Sequence, residues 1–461
     1  MPARNVSLPD PRLLFTGPWE PVVVRRGDSL GLRGLADVFA EAVAPGLTNR
    51  VADGRWVTIL SWSLARSCEV FHAAGGGGVA TRAQQRRRYD WLRPLELMWV
   101  ARTILRAADG GKDRPLPGQR RVRRWLRDER SAERFGMTPD QYRSYRQTGA
   151  YGAYRVAFRT WQGLTVGGDG WTPGPRALGL ADWLDDRLGP ARPTWPLHVG
   201  GEDGPSARSV RRAESETRWW LQNWPAFDEG GRNADSHTLP RRWDDCGTLP
   251  EAKLLRPLIF GAGSRSGEQR TRVVHEMEEC GASGHIGLCD YLAGVFHDDP
   301  VIRLLPAFSR MADAVTALMD FVAERLRAGS DVSLSLIASR AEAPVLCSEL
   351  AAAAAAWVRT GGAVIRHVEA AHRFAAAFPN ADPTHCLRAL LRHHELYGGG
   401  LRWFVLRGDR VEPRAPQRGV SSRYRFRLWS LARLAAQCGE ISEMPLALRA
   451  GEAELAEAGD E

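Results

Sequence analysis

The chain has 461 residues, of which 44% are hydrophobic and 25% charged, and these proportions are typical of a folded globular protein with two or three domains. It contains no run of roughly 20 apolar residues that could cross a bilayer, and Met1 to Asp10 lacks the pattern of a secretory signal. The seven cysteines are odd in number and mostly far apart, which argues against a disulfide framework. We therefore expect a cytoplasmic protein with no membrane partner.

The charge balance indicates the kind of partner. The net charge is +9, and Lys112 and Lys253 are the only lysines among 63 basic residues. A GC-rich genome produces the same arginine bias. Arginine also binds phosphate through two parallel hydrogen bonds, however, so the surplus favours a polyanionic partner. We expect that partner to be nucleic acid, and DNA rather than RNA.

The N-terminal third is predicted to be helical and basic. One helix ending at Pro45-Gly46 and a second beginning near Asp53 carry apolar residues at helical spacing. Beyond the glycines at 75–78, arginines cluster around Trp125, where guanidinium groups would neutralise phosphate and the ring would stack on bases. The cluster residues that we assign to nucleic-acid binding are Arg120, Arg121, Arg123, Arg124 and Arg127.

Glycine and proline are dense from 162 to 209, and this stretch is predicted to separate domains. We place an N-terminal helical basic domain at 1–161, a Gly/Pro-rich junction at 162–209 and a middle region at 210–300. A C-terminal helical domain follows at 301–461. A long amphipathic helix over 306–328 is its clearest element, because apolar residues there alternate at spacings of three and four.

The end of this last domain, at 382–438, has the parts of a small module. Asp382-Pro383 predicts a helix start, because Asp caps free N–H groups and Pro fits the first helical position. Glycines at 398–400 end that helix. A strand-like run, a turn at 407–410 and a second extended piece predict a hairpin. A last helix is predicted from about residue 428 to 438.

Helix, glycine break and hairpin are, in this order, the parts at the end of a winged-helix domain. In that arrangement the helix carrying Arg388, Arg392, His393 and His394 would lie in the major groove, and the hairpin tip would touch phosphate. After the hairpin, Arg423, Arg425 and Arg427 would share one face of a strand, as a second nucleic-acid patch. The alternative is a helix and hairpin that only pack on their neighbours.

Histidine and cysteine come together once in the sequence. His275, Cys280, His285 and Cys289 are the ligand types of a structural zinc site, but their spacing matches no standard zinc finger. Ordinary core cysteines and surface histidines are the alternative, so we predict no cofactor and keep zinc open.

One group of acidic residues with a lysine is compatible with an enzymatic site. Asp244, Glu251 and Lys253 have the order of a restriction-type nuclease site, where carboxylates hold Mg²⁺ and lysine stabilises charge. The acids are very close in sequence, and Pro250 would interrupt a strand there. We therefore favour a non-enzymatic protein over a nuclease.

The run at 29–62 resembles the N-terminus of an uncharacterised bacterial family associated with anti-phage defence loci. The residues that carry the resemblance are Ala44 to Thr48 and Asp53 to Thr58, with Tyr397 to Phe404 near the end. The resemblance covers about a third of the chain and brings no catalytic residue. It therefore implies only a genomic neighbourhood, near genes of anti-phage defence and mobile elements.

The sequence thus predicts a mainly α-helical protein. It has a multi-helical N-terminal domain and a helical C-terminal region that ends in a winged-helix-like helix–hairpin module. The predicted function is that of a nucleic-acid-binding, non-enzymatic accessory subunit of a bacterial genome-defence complex. A Mg²⁺-dependent nuclease and a protein–protein scaffold, with Trp219, Trp220 and Trp224 as interface anchors, are the alternatives.

Overall fold

The computed structural model of the chain divides into two units. Unit 1 comprises Met1–Val24 and Arg55–Asp245, and unit 2 comprises Arg25–Gly54 and Cys246–Glu461. The packing therefore assigns 25–54 to the same unit as the C-terminal half, whereas the sequence suggests one domain over 1–161. The structure describes residues 30–73, 92, 95–96, 99–100, 104, 118–119, 122–124, 149–188, 247–327, 332–360, 365–397, 404–413 and 425–449.

The described residues are mainly helical, as the sequence predicts. Unit 1 is described chiefly through the helices Gly54–Ala73, Ala150–Thr160 and Pro175–Leu188, of which the first begins at the unit boundary. Unit 2 holds the remaining helices and one small sheet. In chain order the helices are α1 (Arg33–Val43), α2 (Gly54–Ala73), α3 (Ala150–Thr160), α4 (Pro175–Leu188), α5 (Ala252–Ile259), α6 (Arg265–Glu279), α7 (His285–Val295), α8 (Leu305–Arg327), α9 (Leu334–Ala338), α10 (Glu342–Arg359), α11 (Val368–Ala375), α12 (Pro383–Tyr397), α13 (Leu428–Cys438) and α14 (Leu446–Arg449).

In unit 1, an ordered loop joins α3 to α4. The Asp169 carboxylate accepts hydrogen bonds from the backbone N–H groups of Trp171 and Thr172 at 2.7 and 2.9 Å, which closes the turn. The Trp62 indole of α2 donates to Asp185 of α4 at 2.5 Å. The first part of the predicted Gly/Pro-rich junction therefore contains a capped loop and a helix, and the rest of it lies outside the described residues.

In unit 2, three short strands form an antiparallel sheet of order β1-β3-β2. They are β1 (Val332–Ser333), β2 (Phe404–Arg407) and β3 (Arg410–Pro413). The hairpin of β2 and β3 turns at Gly408, whose positive φ of 62° is easy only for glycine. The sequence predicts this hairpin and its turn, but not the third strand, which comes from more than 70 residues earlier and pairs Val332 with Val411.

The core of unit 2 lies around α8, α10 and α13. Helix α8 covers the predicted amphipathic stretch almost residue for residue and packs against α7 and α10. Every residue of α13 is buried, although the helix carries polar side chains. Since a helix buried all round must satisfy its polar groups internally, the partners of those side chains show what encloses it.

The polar side chains of α13 lie on one stripe and meet the segment 49–54. The Ser430 hydroxyl donates to the Asn49 carbonyl at 3.3 Å. The Arg433 guanidinium lies 3.7 Å from the Asp53 carboxylate. The Gln437 amide accepts from the Gly54 N–H at 2.7 Å and donates to Asp53 at 3.2 Å. Spacings of three and four place these side chains on one face of the helix. This stripe therefore holds the segment before α2 to the helix near the chain's end.

A buried arginine connects three further segments of unit 2. Arg270 of α6 is 1% exposed, and it donates to the carbonyls of Ile259 and Pro45 at 2.6 and 2.5 Å. Its neighbour Gln269 donates to the Ala42 carbonyl at 3.1 Å. Burial lowers the pKa of Arg270 to about 10, so the guanidinium is still charged at neutral pH. The hydrogen bonds of this charged guanidinium therefore join the end of α1 to α5 and α6.

Replacing this guanidinium should destabilise unit 2. We expect Arg270→Met to lower the free energy of unfolding by roughly 3 kcal/mol, because two buried carbonyl groups lose a charged donor while the aliphatic stem is kept. Denaturant unfolding followed by circular dichroism measures the change. Arg265→Met, at the exposed start of the same helix, is the matched control and should change stability by less than about 0.5 kcal/mol. Equal losses in both variants would contradict the internal role of Arg270.

Candidate nucleic-acid interface

Helix α12 begins where the sequence predicts. Pro383 occupies its first position, and the Asp382 carboxylate accepts from the His385 N–H at 2.7 Å, so it caps the free N–H groups. The helix packs against α9, α10 and β2. Its packed face consists of Cys386, Leu387, Leu390, Leu391 and His394.

The opposite face of α12 is basic and reaches solvent. His385 and Arg392 are exposed, Arg388 is half-buried, and Leu396 at the end is 78% exposed. Spacings of three, four and four place the four side chains on one stripe of the helix. We call this stripe, together with the hairpin tip at 407–410, the α12 surface.

The hairpin tip is fixed beside α12 by one aspartate. The Asp409 carboxylate accepts from the Ser335 hydroxyl at 2.6 Å and lies 3.9 Å from the Arg388 guanidinium. The Asp409 carbonyl accepts from the Leu334 N–H at 2.6 Å. The start of α9, the hairpin and α12 therefore meet at Asp409. This arrangement places Arg407 and Arg410, which face each other across the turn, next to the basic stripe.

Two acidic side chains near the α12 surface bind groups of the protein itself. The Glu395 carboxylate accepts from the Leu406 N–H at 2.7 Å, which ties α12 to β2. Glu412 lies 3.3 Å from the Arg407 guanidinium, which stays largely exposed. The arginines therefore reach solvent while these two carboxylates bind protein groups.

The two histidines late in α12 are not part of this surface. His393 donates from Nε2 to the Leu30 carbonyl at 2.6 Å, and its ring packs edge-on against Phe374. His394 is fully buried and lies against Phe404, with ring centroids 4.7 Å apart. Both hold α12 in place.

The predicted strand patch at 423–427 is wrong for the residues that the structure describes. Residue 425 is irregular, Phe426 and Arg427 have positive φ angles of 49° and 62°, and α13 begins at the next residue. Arg425 is half-buried. Arg427 lies 2.8 Å from the Glu41 carboxylate and 3.6 Å from Asp37, both on α1. Arg423 lies outside the described residues.

Packing explains the unusual backbone at this point. A left-handed conformation is costly for a residue with a Cβ and persists where the surroundings impose it. The Phe426 ring is buried among Phe39, Phe308 and His285, with centroids 5.9, 6.1 and 5.6 Å away. Burial of this ring and the ion pairs of Arg427 together turn the chain into α13. The guanidinium of Arg427 thus binds carboxylates of its own chain.

Most of the first arginine cluster lies outside the described part of the chain. This applies to Arg120, Arg121 and Arg127. Arg123 is half-buried, and Arg124 is exposed on a short helical piece. Their assignment to nucleic-acid binding stays a prediction. The tryptophans at 219, 220 and 224, on which the scaffold alternative depends, are also outside the described residues.

The histidines and cysteines of the possible zinc site do not come together as a set of ligands. His275 is exposed, whereas Cys280 is buried. His285 Nε2 lies 3.5 Å from Cys289 Sγ, which also accepts from the Ser309 hydroxyl at 3.4 Å. Among the described residues, no group of three or more His, Cys, Asp and Glu is placed to hold a metal ion.

The nuclease pattern falls at a helix start. Glu251 immediately precedes α5 and its side chain is buried, whereas the Lys253 side chain is exposed. Asp244 lies outside the described residues. A site in which carboxylate and lysine act on one phosphate needs both groups on one accessible surface, and here only the lysine reaches the surface.

Comparison with family models, with curated proteins and with solved structures finds no match to this chain. None of the helices in the described ranges is both long enough and apolar enough to cross a membrane. Functional interpretation therefore depends on the geometry of the α12 surface.

The ion pairs of Arg427 with α1 predict a role in stability, whereas the strand interpretation predicts a role in nucleic-acid binding. We expect Arg427→Ala to lower the free energy of unfolding by about 1 kcal/mol, because the ion pairs to α1 are removed, and to leave nucleic-acid affinity unchanged. Arg427→Gly should be more stable than Arg427→Ala by about 1 kcal/mol, because glycine adopts the left-handed conformation without strain. Thermal unfolding and fluorescence anisotropy with labelled DNA measure the two effects. If the Arg427→Ala protein is folded but binds DNA more weakly, Arg427 contacts DNA and the prediction is wrong.

Proposed function

We propose that this chain is a non-enzymatic, nucleic-acid-binding subunit that contacts duplex DNA through the α12 surface. The observation that carries the proposal is the pairing of Arg388 with Asp409. It joins an exposed basic helix stripe to a hairpin tip that bears two further arginines. A helix of this kind fits the major groove, and arginines on an adjoining hairpin reach phosphate.

The order of elements supports a winged-helix-like interpretation of this region. Strand β1, helix α9, helix α12 and the β2–β3 hairpin come in this order along the chain, although other helices intervene, and β1 completes a sheet with the hairpin. Residues 339–382, which include α10 and α11, separate α9 from α12. That separation is a departure, because the two helices of a helix-turn-helix are usually joined by three or four residues.

Helix α10 is the other candidate for the groove, because only residues 339–341 separate it from α9. Charge decides between the two helices. The exposed side of α10 carries two carboxylates, Glu342 and Glu349, along its length and one arginine, Arg359, at its last residue. Carboxylates are repelled by the phosphate backbone. The exposed side of α12 carries two arginines. We therefore assign groove contact to α12.

The role in genome defence is the second part of the proposal. It depends on the resemblance of 29–62 and 397–404 to a family associated with anti-phage loci. Such a subunit would bring partner proteins to DNA. Size-exclusion chromatography with the products of neighbouring genes tests this part separately from DNA binding.

Removing the arginines of the α12 stripe should weaken DNA binding and reduce its salt dependence. For Arg388→Ala/Arg392→Ala we expect the slope of log affinity against log salt to fall by about 0.9 for each phosphate that is no longer neutralised, because fewer counterions are released on binding. Fluorescence anisotropy with a labelled duplex over a series of salt concentrations measures the slope.

The matched control is Arg265→Ala, an exposed arginine on α6, whose packing partners are α1, α5, α7 and α13. The control should keep the slope of the unchanged chain. Equal affinity and slope in the double variant and the unchanged chain, with both folded, would remove the DNA-binding assignment from α12.

A further inference from the structure

The two arginines on the α12 stripe differ in their surroundings. Arg388 is half-buried and its guanidinium lies 3.9 Å from the Asp409 carboxylate of the hairpin tip. Arg392, one turn later, is exposed. The ion pair therefore holds Arg388 on the side of the helix where the hairpin lies, whereas Arg392 reaches outward from the helix.

An apolar side chain lies one turn beyond Arg392. Leu396 is 78% exposed, which is the largest value among the large apolar side chains in the described part of the chain. The other three leucines of α12 are buried on its packed face, whereas the position of Leu396 places it on the solvent stripe. A partner that covers this side chain would gain the free energy of removing its apolar surface from water.

Guanine and thymine present the major-groove groups that these two side chains fit. Guanine has two acceptors, N7 and O6, which a guanidinium binds through two parallel hydrogen bonds. Thymine has the C5 methyl group, an apolar surface that the other three standard bases lack. Arg392 and Leu396 bring the two complementary chemistries together on one exposed stripe. They are therefore able to distinguish base pairs, which contacts to phosphate do not.

The spacing of the two side chains sets the spacing of the bases. Four residues of an α-helix rise about 6 Å, and successive base pairs of a duplex are roughly 3.4 Å apart. A helix that follows the major groove therefore places Arg392 and Leu396 over bases about two steps apart. In the same arrangement Asp409 keeps Arg388 beside the hairpin tip, the part that reaches phosphate.

We propose that Arg392 and Leu396 are the specificity-determining residues of the α12 surface, and that they recognise a guanine and a thymine about two base pairs apart. Arg392 donates hydrogen bonds to N7 and O6 of the guanine, and Leu396 covers the methyl group of the thymine. Arg388 adds affinity without base preference. This inference rests on the proposed DNA contact of α12, and it adds the kind of sequence that the helix binds.

Selection of the full chain on a pool of short random duplexes tests the pattern. We expect the recovered duplexes to share a guanine and a thymine at this separation. Replacing that thymine with uracil, which lacks only the methyl group, should weaken binding about fourfold, the effect of one buried apolar carbon. Replacing the guanine with 7-deazaguanine, which lacks the N7 acceptor, should weaken binding about fivefold, the effect of one hydrogen bond. Fluorescence anisotropy measures both ratios of affinity.

Single variants assign each base to its side chain. In Leu396→Ala the ratio of affinities for the thymine and uracil duplexes should fall to about 1, and in Arg392→Ala the ratio for guanine and 7-deazaguanine should do the same. Arg388→Ala should lower the affinity and the salt slope but keep both ratios. Leu446→Ala, which changes an exposed leucine on α14, is the matched control for Leu396 and should also keep both ratios.

The outcomes separate base recognition from the DNA contact itself. Salt-dependent binding of duplexes that share no sequence would overturn the inference and leave the DNA contact of α12 in place. Equal binding of thymine and uracil duplexes by the unchanged chain would overturn the role of Leu396, whose exposure would then fit a protein partner. Equal binding of guanine and 7-deazaguanine duplexes would overturn the role of Arg392. Absence of binding to any duplex would remove the proposed function and this inference together.

Discussion

The polar stripe on the buried helix α13 is the feature on which unit 2 depends. Ser430, Arg433 and Gln437 cannot be removed from water without partners, since an unpaired buried polar group costs several kcal/mol. Each of the three side chains has a partner in 49–54. The apolar faces of α13 fill the core, and its polar face requires a segment that lies almost 400 residues away in sequence. This requirement explains why 25–54 belongs with the C-terminal half.

Arginine has two different uses in this protein, and the net charge does not distinguish them. Arg270 and Arg433 are buried and bind a carbonyl pair and a carboxylate, and Arg427 binds the acidic side of α1. A guanidinium has five donors in a fixed plane, so one side chain can join several segments. Arg388, Arg392, Arg407 and Arg410 instead lie around the hairpin tip. Only the second group supports a polyanionic partner. The number of arginines in this group is smaller than the net charge of +9 suggests.

Helix α12 is held in place from several sides. Its solvent face carries the basic stripe, and its packed face lies against α9, α10 and β2. Asp382 caps its start, while Asp409 and Glu395 bind its side and end to α9 and to the sheet. A helix held at so many points presents its side chains in a fixed register, which recognition of a groove requires.

Local signals in the sequence determined the helices and the hairpin. The Asp-Pro start of α12, the Gly408 turn, the spacing of apolar residues in α8 and the bounds of α13 each depend on a few neighbouring residues, and each is confirmed. Only the tertiary structure decided the pairing of β1 with the hairpin, the left-handed turn at Phe426 and Arg427, and the contact of α13 with 49–54. These features depend on residues far apart in the chain, where spacing carries no information about contact. The strand predicted at 423–427 failed for this reason, because alternating arginine and aromatic residues fit a strand locally, whereas a buried ring and two carboxylates of α1 imposed a turn.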